Sequence, residues 1–249
     1  PSGSAHPSGP VSKVGEPGNS LKRFYGHGIP GVDLSKLAGK LIVIEGADGS
    51  GRTSLIDILK PWLEGHGHAV TTFGIKRSTL VGQELDQAKQ GNTLGKITMG
   101  LFYATDFADQ LEHVVIPALR AGFVVLADRY IYTLMAREIV RGVEPEWLTN
   151  LYHIALVPDS VFYLSVSPQI LLERNFAKNP TLDYWESGVD IGLHDNIFDS
   201  FIIYQKRMRK QFLQMKDVYG FHVINANRPI WVVAKDLQQR VASLMNIPL

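Results

Sequence analysis

A glycine-rich segment, Gly46-Ala47-Asp48-Gly49-Ser50-Gly51-Arg52-Thr53, contains the residue types that bind phosphate. It lies between an apolar run, Leu41–Glu45, and an amphipathic stretch, the context in which the pattern G-x-x-x-x-G-K-[ST] binds nucleotides. The glycines allow turns in which consecutive N–H groups converge on phosphate oxygens, and the following helix adds its positive N-terminal end. The candidate residues for binding the phosphates of a donor nucleotide are Gly46, Gly49, Ser50, Gly51, Arg52, Thr53 and Ser54.

One position departs from that pattern, because Arg52 stands where the pattern has a lysine. Lysine is a compact charge on a flexible stem, whereas arginine is a planar fork, so the exchange is not conservative at a crowded site. Either Arg52 reaches the phosphates from a slightly displaced position, or phosphoryl transfer is weakened. The alternative, a glycine-rich turn without a ligand, is disfavoured by the strand before it and the helix after it.

A second candidate site follows the apolar run Val124–Ala127, where Asp128 and Arg129 stand at the predicted end of a strand. Parallel sheets bind their ligands at this end of the strands. A carboxylate there can hold Mg²⁺ directly or through water, and the neighbouring arginine can clamp a phosphate. We therefore expect Thr53 and Asp128 to be the Mg²⁺ ligands. The alternative is a structural Asp–Arg pair that closes the strand.

The elements that position these residues alternate between short apolar runs and longer amphipathic stretches. This alternation predicts an α/β fold with a doubly wound, five-stranded parallel sheet flanked by helices. The predicted strands are Leu41–Glu45, Ala69–Phe73, Phe123–Ala127, Ser160–Ser165 and Phe221–Ile224. The predicted helices are Thr53–Gly65, Met99–Ala121, Leu134–Arg141, Pro145–Ala155, Pro168–Phe176, Asn196–Val218 and Trp231–Met245. The polar, broken stretch Lys178–Leu193 is interpreted as a mobile loop whose acidic side chains are solvated.

The overall composition narrows the class of protein. The chain has 249 residues and a formal net charge of +1, which argues against a protein built mainly to bind nucleic acid or an anionic membrane. The sequence has no cysteine, which excludes disulfides, cysteine-ligated metals and thiol nucleophiles. Its apolar runs all fall short of the roughly 18–20 residues that span a membrane. We expect a cytoplasmic protein with no membrane partner and no nucleic-acid partner.

The chain divides into three segments. Residues 1–20 are rich in Pro, Gly and Ser and are predicted to be a disordered or vector-derived tail. Residues 21–39 form an N-terminal extension whose apolar side chains can pin it to the domain surface. Residues 40–249 form the domain that carries both candidate sites.

These motifs, with the segments between them, resemble the thymidylate kinase family of nucleoside monophosphate kinases from Lys40 to Met245. The phosphate loop of that family is similar to Glu45–Gly51, and its V-L-x-D-R-Y strand end is similar to Val125–Tyr130. Four further segments match in order: Lys76–Gly82 with R-S-T-x-x-G, Leu101–Phe107 with L-L-F-A-A-D-R, Pro158–Pro168 with P-D-x-x-x-Y-L-x-V-x-P, and Asn225–Pro229 with the turn beside the donor adenine.

The resemblance implies a P-loop kinase domain over residues 40–249 with a short lid at approximately 174–195. It implies transfer of the γ-phosphate of ATP to dTMP or a related pyrimidine nucleotide, with ATP and Mg²⁺ as cofactors, in a homodimer that pairs through Met99–Ala121. The implied catalytic residues are Asp48, Arg52, Arg129 and Arg174. The implied substrate-binding residues are Asp48, Arg77, Tyr103, Phe107, Arg129 and Arg137, with Arg77 and Arg129 on the acceptor phosphate and Tyr103 stacked on the base.

Departures from the family pattern leave the base of the acceptor nucleotide undetermined. Phe107 stands where the family has an arginine that contacts thymine, and Arg137-Glu138 stands where it has Tyr-Gln. A buried base edge without its partner is discriminated against strongly. Either Arg137 restores the missing positive group, or the site takes another base. Together with Arg52, these departures also leave open a degenerate nucleotide-binding paralogue with a regulatory or partner role, or a kinase with a different acceptor.

Overall fold

Five parallel strands form one sheet in the order β2-β3-β1-β4-β5. The strands are β1 (Lys40–Gly46), β2 (Val70–Gly74), β3 (Val124–Asp128), β4 (Ser160–Ser165) and β5 (His222–Asn225). The computed structural model describes residues 21–91, 94–179 and 181–248, so the predicted tail over 1–20 lies outside the described residues. The predicted doubly wound parallel sheet is confirmed, and each predicted strand agrees with an observed one to within one residue at either end.

Helices cover both faces of the sheet. They are α1 (Arg52–Gly65), α2 (Gly82–Gly91), α3 (Lys96–Gln110), α4 (Ile116–Arg120), α5 (Ile131–Val140), α6 (Pro145–Leu151), α7 (Pro168–Lys178), α8 (Ile197–Tyr219) and α9 (Ile230–Met245). Helix α2 is absent from the sequence prediction because its residues are mostly polar and show little apolar periodicity. Within the described ranges, no helix is both long enough and apolar enough to cross a bilayer.

The central strand β1 is buried on both faces. Successive side chains of a strand point to opposite faces, so Leu41 and Val43 join one apolar cluster while Ile42 and Ile44 join the other. This two-sided burial explains why β1 is a continuous apolar run rather than an alternating one. Because β3 and β4 lie on either side of β1, the end of β1 is the point where the chain order of the sheet reverses, which is where such sheets bind ligands.

The parallel register brings three strand ends to one edge of the sheet. Ile44 of β1 pairs with Asp128 of β3, and Gly74 of β2 pairs with the same Asp128. The segments that follow these three strands therefore start side by side. They carry the glycine-rich turn, Arg77 and Arg129, which lie far apart in the sequence.

The long helix predicted over Met99–Ala121 is interrupted. Its middle, Leu111–Val115, is a π-helical turn between α3 and α4. Pro117 lies in the first turn of α4 and carries no N–H, so it cannot donate to the carbonyl one turn earlier. The wider π turn accommodates this local loss of α-helical hydrogen bonding.

The N-terminal extension packs against the domain, as its apolar side chains predict. Phe24 forms an isolated antiparallel bridge with Leu156, and the N–H of Tyr25 donates to the carbonyl of Ala155 at 2.9 Å. The hydroxyl groups of Tyr25 and Tyr132 lie 2.6 Å apart. This extension therefore covers the first turn of α5, which carries residues of the candidate site.

Phe107 lies in the core and does not line a substrate cavity. Its side chain is fully buried and packs edge-on against the rings of Phe73, Tyr130 and Tyr152, with ring centroids 5.2–5.9 Å apart. The prediction that Phe107 contacts the substrate is therefore wrong in this geometry. The aromatic cluster fills the space beneath the site, and a charged side chain at this position would have no partner there.

We expect Phe107→Ala to lower the free energy of unfolding by about 3–5 kcal/mol, because it removes a fully buried ring and leaves a cavity. Val218→Ala on α8 is the control, since Val218 is about two-fifths exposed, and we expect a change within about 0.5 kcal/mol. Urea denaturation followed by circular dichroism measures both values. Equal effects of the two substitutions would contradict the packing role of Phe107.

Candidate active site

The glycine-rich turn between β1 and α1 is held against helix α7. Gly49 has a φ of +83°, and an added Cβ there would lie 2.8 Å from Nδ2 of Asn175. The same Nδ2 donates to the carbonyl of Asp48 at 2.9 Å. Gly51, with a φ of +96°, precedes the first residue of α1. Both glycines are needed because a side chain would be strained in this region of φ, and would also collide with α7 at Gly49.

Arg52 is folded beneath this turn. Its Nε donates to Oδ1 of Asp128 at 2.7 Å, and its Nη1 donates to the carbonyls of Ala47, at 2.6 Å, and of Gly46. Its Nη2 donates to Oδ1 of Asp48 at 3.3 Å. Every guanidinium nitrogen is thus engaged within the protein. A direct contact between Arg52 and donor phosphates, as predicted from the sequence, would require some of these hydrogen bonds to be exchanged.

Asp48 joins the turn to Arg129. Nη2 of Arg129 donates to Oδ1 of Asp48, the oxygen that also accepts from Arg52. Burial opposes the ionisation of Asp48, but the charges of Arg129 and Arg52 outweigh it and hold the pKa of this carboxyl well below its usual range. One carboxylate is therefore shared by two cations that the sequence assigns to different substrates.

Arg129 carries two signs of a functional site. Its φ of +73° lies in the left-handed region, which is unfavourable for a long side chain. Its Nε is buried without a hydrogen-bond partner among the residues that the structure describes. A buried guanidinium donor without a partner is rare in folded proteins, and an anionic ligand would supply one.

Asp128 connects the ends of β1, β2 and β3. The hydroxyl of Thr53 donates to Oδ2 of Asp128 at 3.3 Å, and Nη2 of Arg77 lies 3.7 Å from the same oxygen. The side chain of Arg77 crosses directly over Gly74, where an added Cβ would lie 2.8 Å from its Cζ. The structure thus brings together Thr53, Asp128 and Arg77, as the sequence predicts for a phosphate and magnesium site.

Asp106 was not among the predicted site residues, yet it shapes the turn that carries Arg77. Its buried carboxylate accepts from the N–H of Lys76 at 2.7 Å and from the N–H of Ser78 at 2.9 Å. These contacts hold Lys76 at a φ of +61°. Burial raises the pKa of Asp106, against the backbone N–H groups that favour its charged form. The signal that could have found it is a carboxylate among the aromatic and apolar side chains of a helix, since such a group needs local partners.

Glu45 positions α5 in a similar way. This fully buried carboxylate accepts from the N–H of Tyr130 at 2.9 Å, from the N–H of Thr133 at 3.2 Å and from the Thr133 hydroxyl. It therefore caps the N-terminus of α5 from the neighbouring strand. Burial raises its pKa, and these hydrogen bonds oppose the shift.

Two buried ion pairs dock the segment 183–191 onto α5. Arg137 pairs with Glu186, and Nε of Arg141 donates to Oδ2 of Asp190 at 2.7 Å. The two arginines lie one helical turn apart, and the two acids have the same spacing in the sequence. The prediction of a mobile loop with solvated acids is therefore wrong for Glu186 and Asp190, whose side chains are less than a tenth exposed.

A large cavity of about 1000 Å³ opens beside the glycine-rich turn. Its walls include the predicted donor-phosphate residues Ser50, Gly51, Arg52, Thr53 and Ser54, with Arg174 and Lys178 from α7. Nη2 of Arg174 donates to the carbonyl of Ala226 at 3.0 Å. Arg174 thus lies on the cavity wall, next to the place where the turn would hold phosphates.

A smaller cavity of about 170 Å³ is lined in part by Arg137. Tyr103, Met99 and Trp185 give it an aromatic and apolar lining, and Arg137 and Glu138 contribute polar atoms. The predicted base-stacking residue Tyr103 therefore faces a cavity, unlike Phe107. Asp48 lines the large cavity, and Arg137 lines the small one.

We expect Arg52→Lys to lower the free energy of unfolding by about 1–3 kcal/mol, because one ammonium group cannot serve all the acceptors that the guanidinium now serves. Lys60→Arg, a reverse exchange on the exposed side of α1, is the control and should change stability by less than about 0.5 kcal/mol. Chemical denaturation measures both. An Arg52→Lys protein as stable as the wild type would refute the structural role of Arg52.

The low pKa of Asp48 predicts a pH effect with a definite sign. Because the folded pKa lies below the unfolded value of about 3.9, the ion pairs of Asp48 stabilise the fold above that value and are lost as the pH falls from about 5. Asp48→Asn should therefore flatten the loss of stability between about pH 5 and pH 3. Asp217→Asn, at an exposed site on α8, should leave the slope unchanged. Denaturation curves recorded over this pH range measure the free energy of unfolding of each protein. If this free energy falls equally steeply with pH in the wild type and in Asp48→Asn, the low pKa of Asp48 is contradicted.

Comparison with known proteins gives the family. The thymidylate kinase family model matches residues 44–237. The "Probable thymidylate kinase 2" of Saccharolobus solfataricus is 36% identical over 204 residues, which cover 82% of this chain and 95% of that protein. The "Probable thymidylate kinase" of Thermococcus kodakarensis is 27% identical over 82% of this chain and 98% of its own length. The "Thymidylate kinase" of Brachyspira hyodysenteriae is 30% identical over 66% of this chain and 82% of its own length. These names give no support to a degenerate regulatory paralogue, and this chain belongs to the thymidylate kinase family of phosphotransferases.

Proposed function

We propose that this chain transfers the γ-phosphoryl group of ATP to the phosphate of dTMP. The observation that carries the proposal is the Asp48 carboxylate, which is shared by Arg52 of the glycine-rich turn and by Arg129, the residue that follows β3. Phosphoryl transfer needs two phosphate groups held close together and in line. A single carboxylate that fixes one cation from each side supports such an arrangement.

The donor side is supported by the large cavity and the glycine-rich turn. The backbone N–H groups over residues 48–53 and the N-terminus of α1 would bind the donor β- and γ-phosphates. Arg174 and Lys178 line the same cavity and would close over the donor phosphates, which excludes water and limits wasteful hydrolysis of ATP.

The residues present fit a magnesium ion. The hydroxyl oxygen of Thr53 and Oδ2 of Asp128 lie 3.3 Å apart at the base of the turn. Mg²⁺ prefers such oxygen ligands and is usually held by one or two protein groups together with substrate phosphates. When bound, it would neutralise charge that develops on the transferring phosphoryl oxygens. Arg52 fixes the other oxygen of Asp128 and so orients this carboxylate.

The acceptor side is supported by Arg129, Arg77 and Tyr103. The buried Nε of Arg129, which has no hydrogen-bond partner in the described part of the chain, and the half-exposed guanidinium of Arg77 would bind the acceptor phosphate. Tyr103 would stack on the base in the small cavity. Because the attacking group is already an anionic phosphate oxygen, no strong general base is needed. The contribution of Arg129, Arg77 and Tyr103 would be to position the acceptor and to neutralise the charge of its phosphate.

The same proposal includes a homodimer in a cytoplasmic setting. Ile97 and Leu101 on α3 are about half exposed, which supports α3 as a surface for a second copy. This surface does not include the residues assigned to phosphoryl transfer, so the chemistry does not depend on it.

The experiment that tests the function measures ATP consumption against a panel of nucleoside monophosphates and identifies each product by mass. We expect phosphorylation of dTMP at about 1 s⁻¹ or faster, within the usual enzyme range. Preference for another acceptor would replace dTMP in the proposal. Binding of ATP without transfer to any acceptor would overturn it in favour of the degenerate paralogue.

We expect Asp128→Asn to reduce Mg²⁺-dependent turnover by at least about 100-fold, or roughly 2.7 kcal/mol in barrier height, since it removes the charged ligand. The amide oxygen can still accept from Nε of Arg52, so the fold should persist, and thermal unfolding checks this. Asp217→Asn on the surface of α8 is the matched control and should keep full turnover. Undiminished turnover in Asp128→Asn would remove this residue from the mechanism.

A further inference from the structure

The N-terminal extension is paired with the segment 153–157 of the domain. The N–H of Tyr25 donates to the carbonyl of Ala155 at 2.9 Å. The N–H of Val157 donates in the opposite direction, to the carbonyl of Arg23, at 2.8 Å. The extension lies outside the part of the chain that the family model matches, so one side of each contact comes from outside that region.

A buried ion pair fixes the start of the extension. The ammonium group of Lys22 pairs with the carboxylate of Asp159, and both side chains are about nine-tenths buried. Oδ2 of Asp159 also accepts from the N–H of Leu41 at 2.7 Å. Leu41 belongs to β1, the strand that ends in the glycine-rich turn. The extension and β1 are therefore tied to one carboxylate, which fixes the extension relative to the frame of the site.

The hydroxyl of Tyr25 reaches the first turn of α5. It lies 2.6 Å from the hydroxyl of Tyr132, whose side chain is fully buried. Among the residues that the structure describes, the Tyr132 hydroxyl has no other hydrogen-bond partner. Buried hydroxyl groups nearly always have a partner, and in this protein the extension supplies it.

A second contact leads from the extension to Tyr130. The hydroxyl of Tyr130 donates to the carbonyl of Leu156 at 2.9 Å, and Leu156 forms the antiparallel bridge with Phe24. Tyr130 is the residue between Arg129 and the first residue of α5. The φ of +73° at Arg129 is unfavourable, and such a conformation persists where the surrounding structure holds it. The extension therefore supports the backbone that carries the Arg129 guanidinium.

The start of α5 is thus held from two sides. On the inner side, Glu45 of β1 accepts from the N–H groups of Tyr130 and Thr133. On the outer side, Tyr25 contacts the side chain of Tyr132. Contacts on two sides restrict the tilt of a turn more than contacts on one side. The extension therefore contributes to the placement of the guanidinium group that precedes the helix.

We propose that the N-terminal extension helps to form the acceptor-phosphate site, with Tyr25 as a positioning residue that acts on Arg129 through Tyr132 and the first turn of α5. This inference rests on the proposed function, because it takes Arg129 as a ligand of the acceptor phosphate. It gives a role in substrate binding to a segment that the sequence assigned to packing alone.

The test measures kcat and KM in the full-length protein, for ATP and for the nucleoside monophosphate that the wild type uses best, expected to be dTMP. Tyr25→Phe removes the hydroxyl that contacts Tyr132 and keeps the ring. We expect the KM for dTMP to rise about 5- to 20-fold, because a buried hydroxyl is left unpaired beside the phosphate-binding turn. The KM for ATP should rise less than about threefold, since the backbone of the glycine-rich turn provides most donor contacts.

This split between the two KM values distinguishes positioning from stability. A residue that only stabilises the fold would change the amount of active protein, which lowers kcat and leaves both KM values as they are. Equal changes in the two KM values, or a change in kcat alone, would overturn the positioning role of Tyr25. Thermal unfolding establishes that each variant is folded at the assay temperature.

A double variant tests whether Tyr25 acts through Tyr132. Tyr132→Phe removes the other hydroxyl, and Tyr25→Phe combined with Tyr132→Phe removes both. Replacing both members of a hydrogen bond leaves no polar group unpaired. We therefore expect the KM of the double variant for dTMP to be no higher than that of the weaker-binding single variant. A KM raised by the product of the two single effects would overturn this route.

Ser35→Ala is the matched control within the extension. The Ser35 hydroxyl donates to Oδ1 of Asp33 at 2.6 Å, a contact that stays inside the extension. Like Tyr25→Phe, this variant removes one hydrogen-bonded hydroxyl group. We expect it to keep the wild-type kcat and both wild-type KM values, and a KM for dTMP raised as much as in Tyr25→Phe would contradict the specific role of Tyr25.

Calorimetric binding of the same monophosphate without ATP separates this inference from the proposed function. Binding that is weaker in Tyr25→Phe than in the wild type and in Ser35→Ala supports the role of Tyr25 even if no phosphoryl transfer occurs. Turnover with an unchanged KM for the acceptor in Tyr25→Phe overturns that role and leaves the kinase function standing. No binding of any nucleoside monophosphate by the wild type overturns both.

Discussion

The shared carboxylate of Asp48 is the interaction on which the rest of the site depends. It accepts from Arg52 beneath the glycine-rich turn and from Arg129 after β3, so it fixes the distance between these two guanidinium groups. Arg52 in turn holds Asp128, which carries the oxygen assigned to magnesium. Arg52, Asp128 and Arg129 are about nine-tenths buried, and buried charges persist only when each has a partner. The four groups therefore form one unit, and a change in any of them alters the geometry of the others.

Helix α5 links the glycine-rich turn to the wall of the small cavity. Glu45 of the central strand caps its N-terminus, so the helix starts at a fixed place relative to the glycine-rich turn. One and two turns later, Arg137 and Arg141 hold the segment 183–191 through buried ion pairs. The wall of the small cavity is thus made of α3, α5 and the segment 183–191, which are distant in sequence. A rigid frame of this kind favours catalysis that works by positioning.

Much of the fold followed from the sequence, and much of the site did not. The strands could be predicted because burial on both faces makes β1 an unbroken apolar run. The glycine-rich turn could be predicted because its glycines, between a strand and a helix, form a specific pattern. The role of Arg52 could not be predicted. An arginine at this position can point toward bound phosphate or toward Asp128, and only the packing of the folded protein decides between the two. Glu186 and Asp190 were interpreted as solvated acids because their partners lie 49 residues away in the chain. Phe107 was assigned to the substrate site because its position matches one in the family. That match carries no information on the side chains that pack around Phe107 in this protein.

The N-terminal extension has a consequence for how this protein can be shortened. The family match begins at residue 44, yet Phe24 and Tyr25 cover Leu156 and Tyr132 on the domain surface. A version trimmed to the matched region would uncover a patch of aromatic and aliphatic side chains beside the start of α5. Such a patch lowers solubility and favours self-association. A shortened protein that keeps this patch covered therefore has to include the extension from at least residue 24, some twenty residues before the start of the family match.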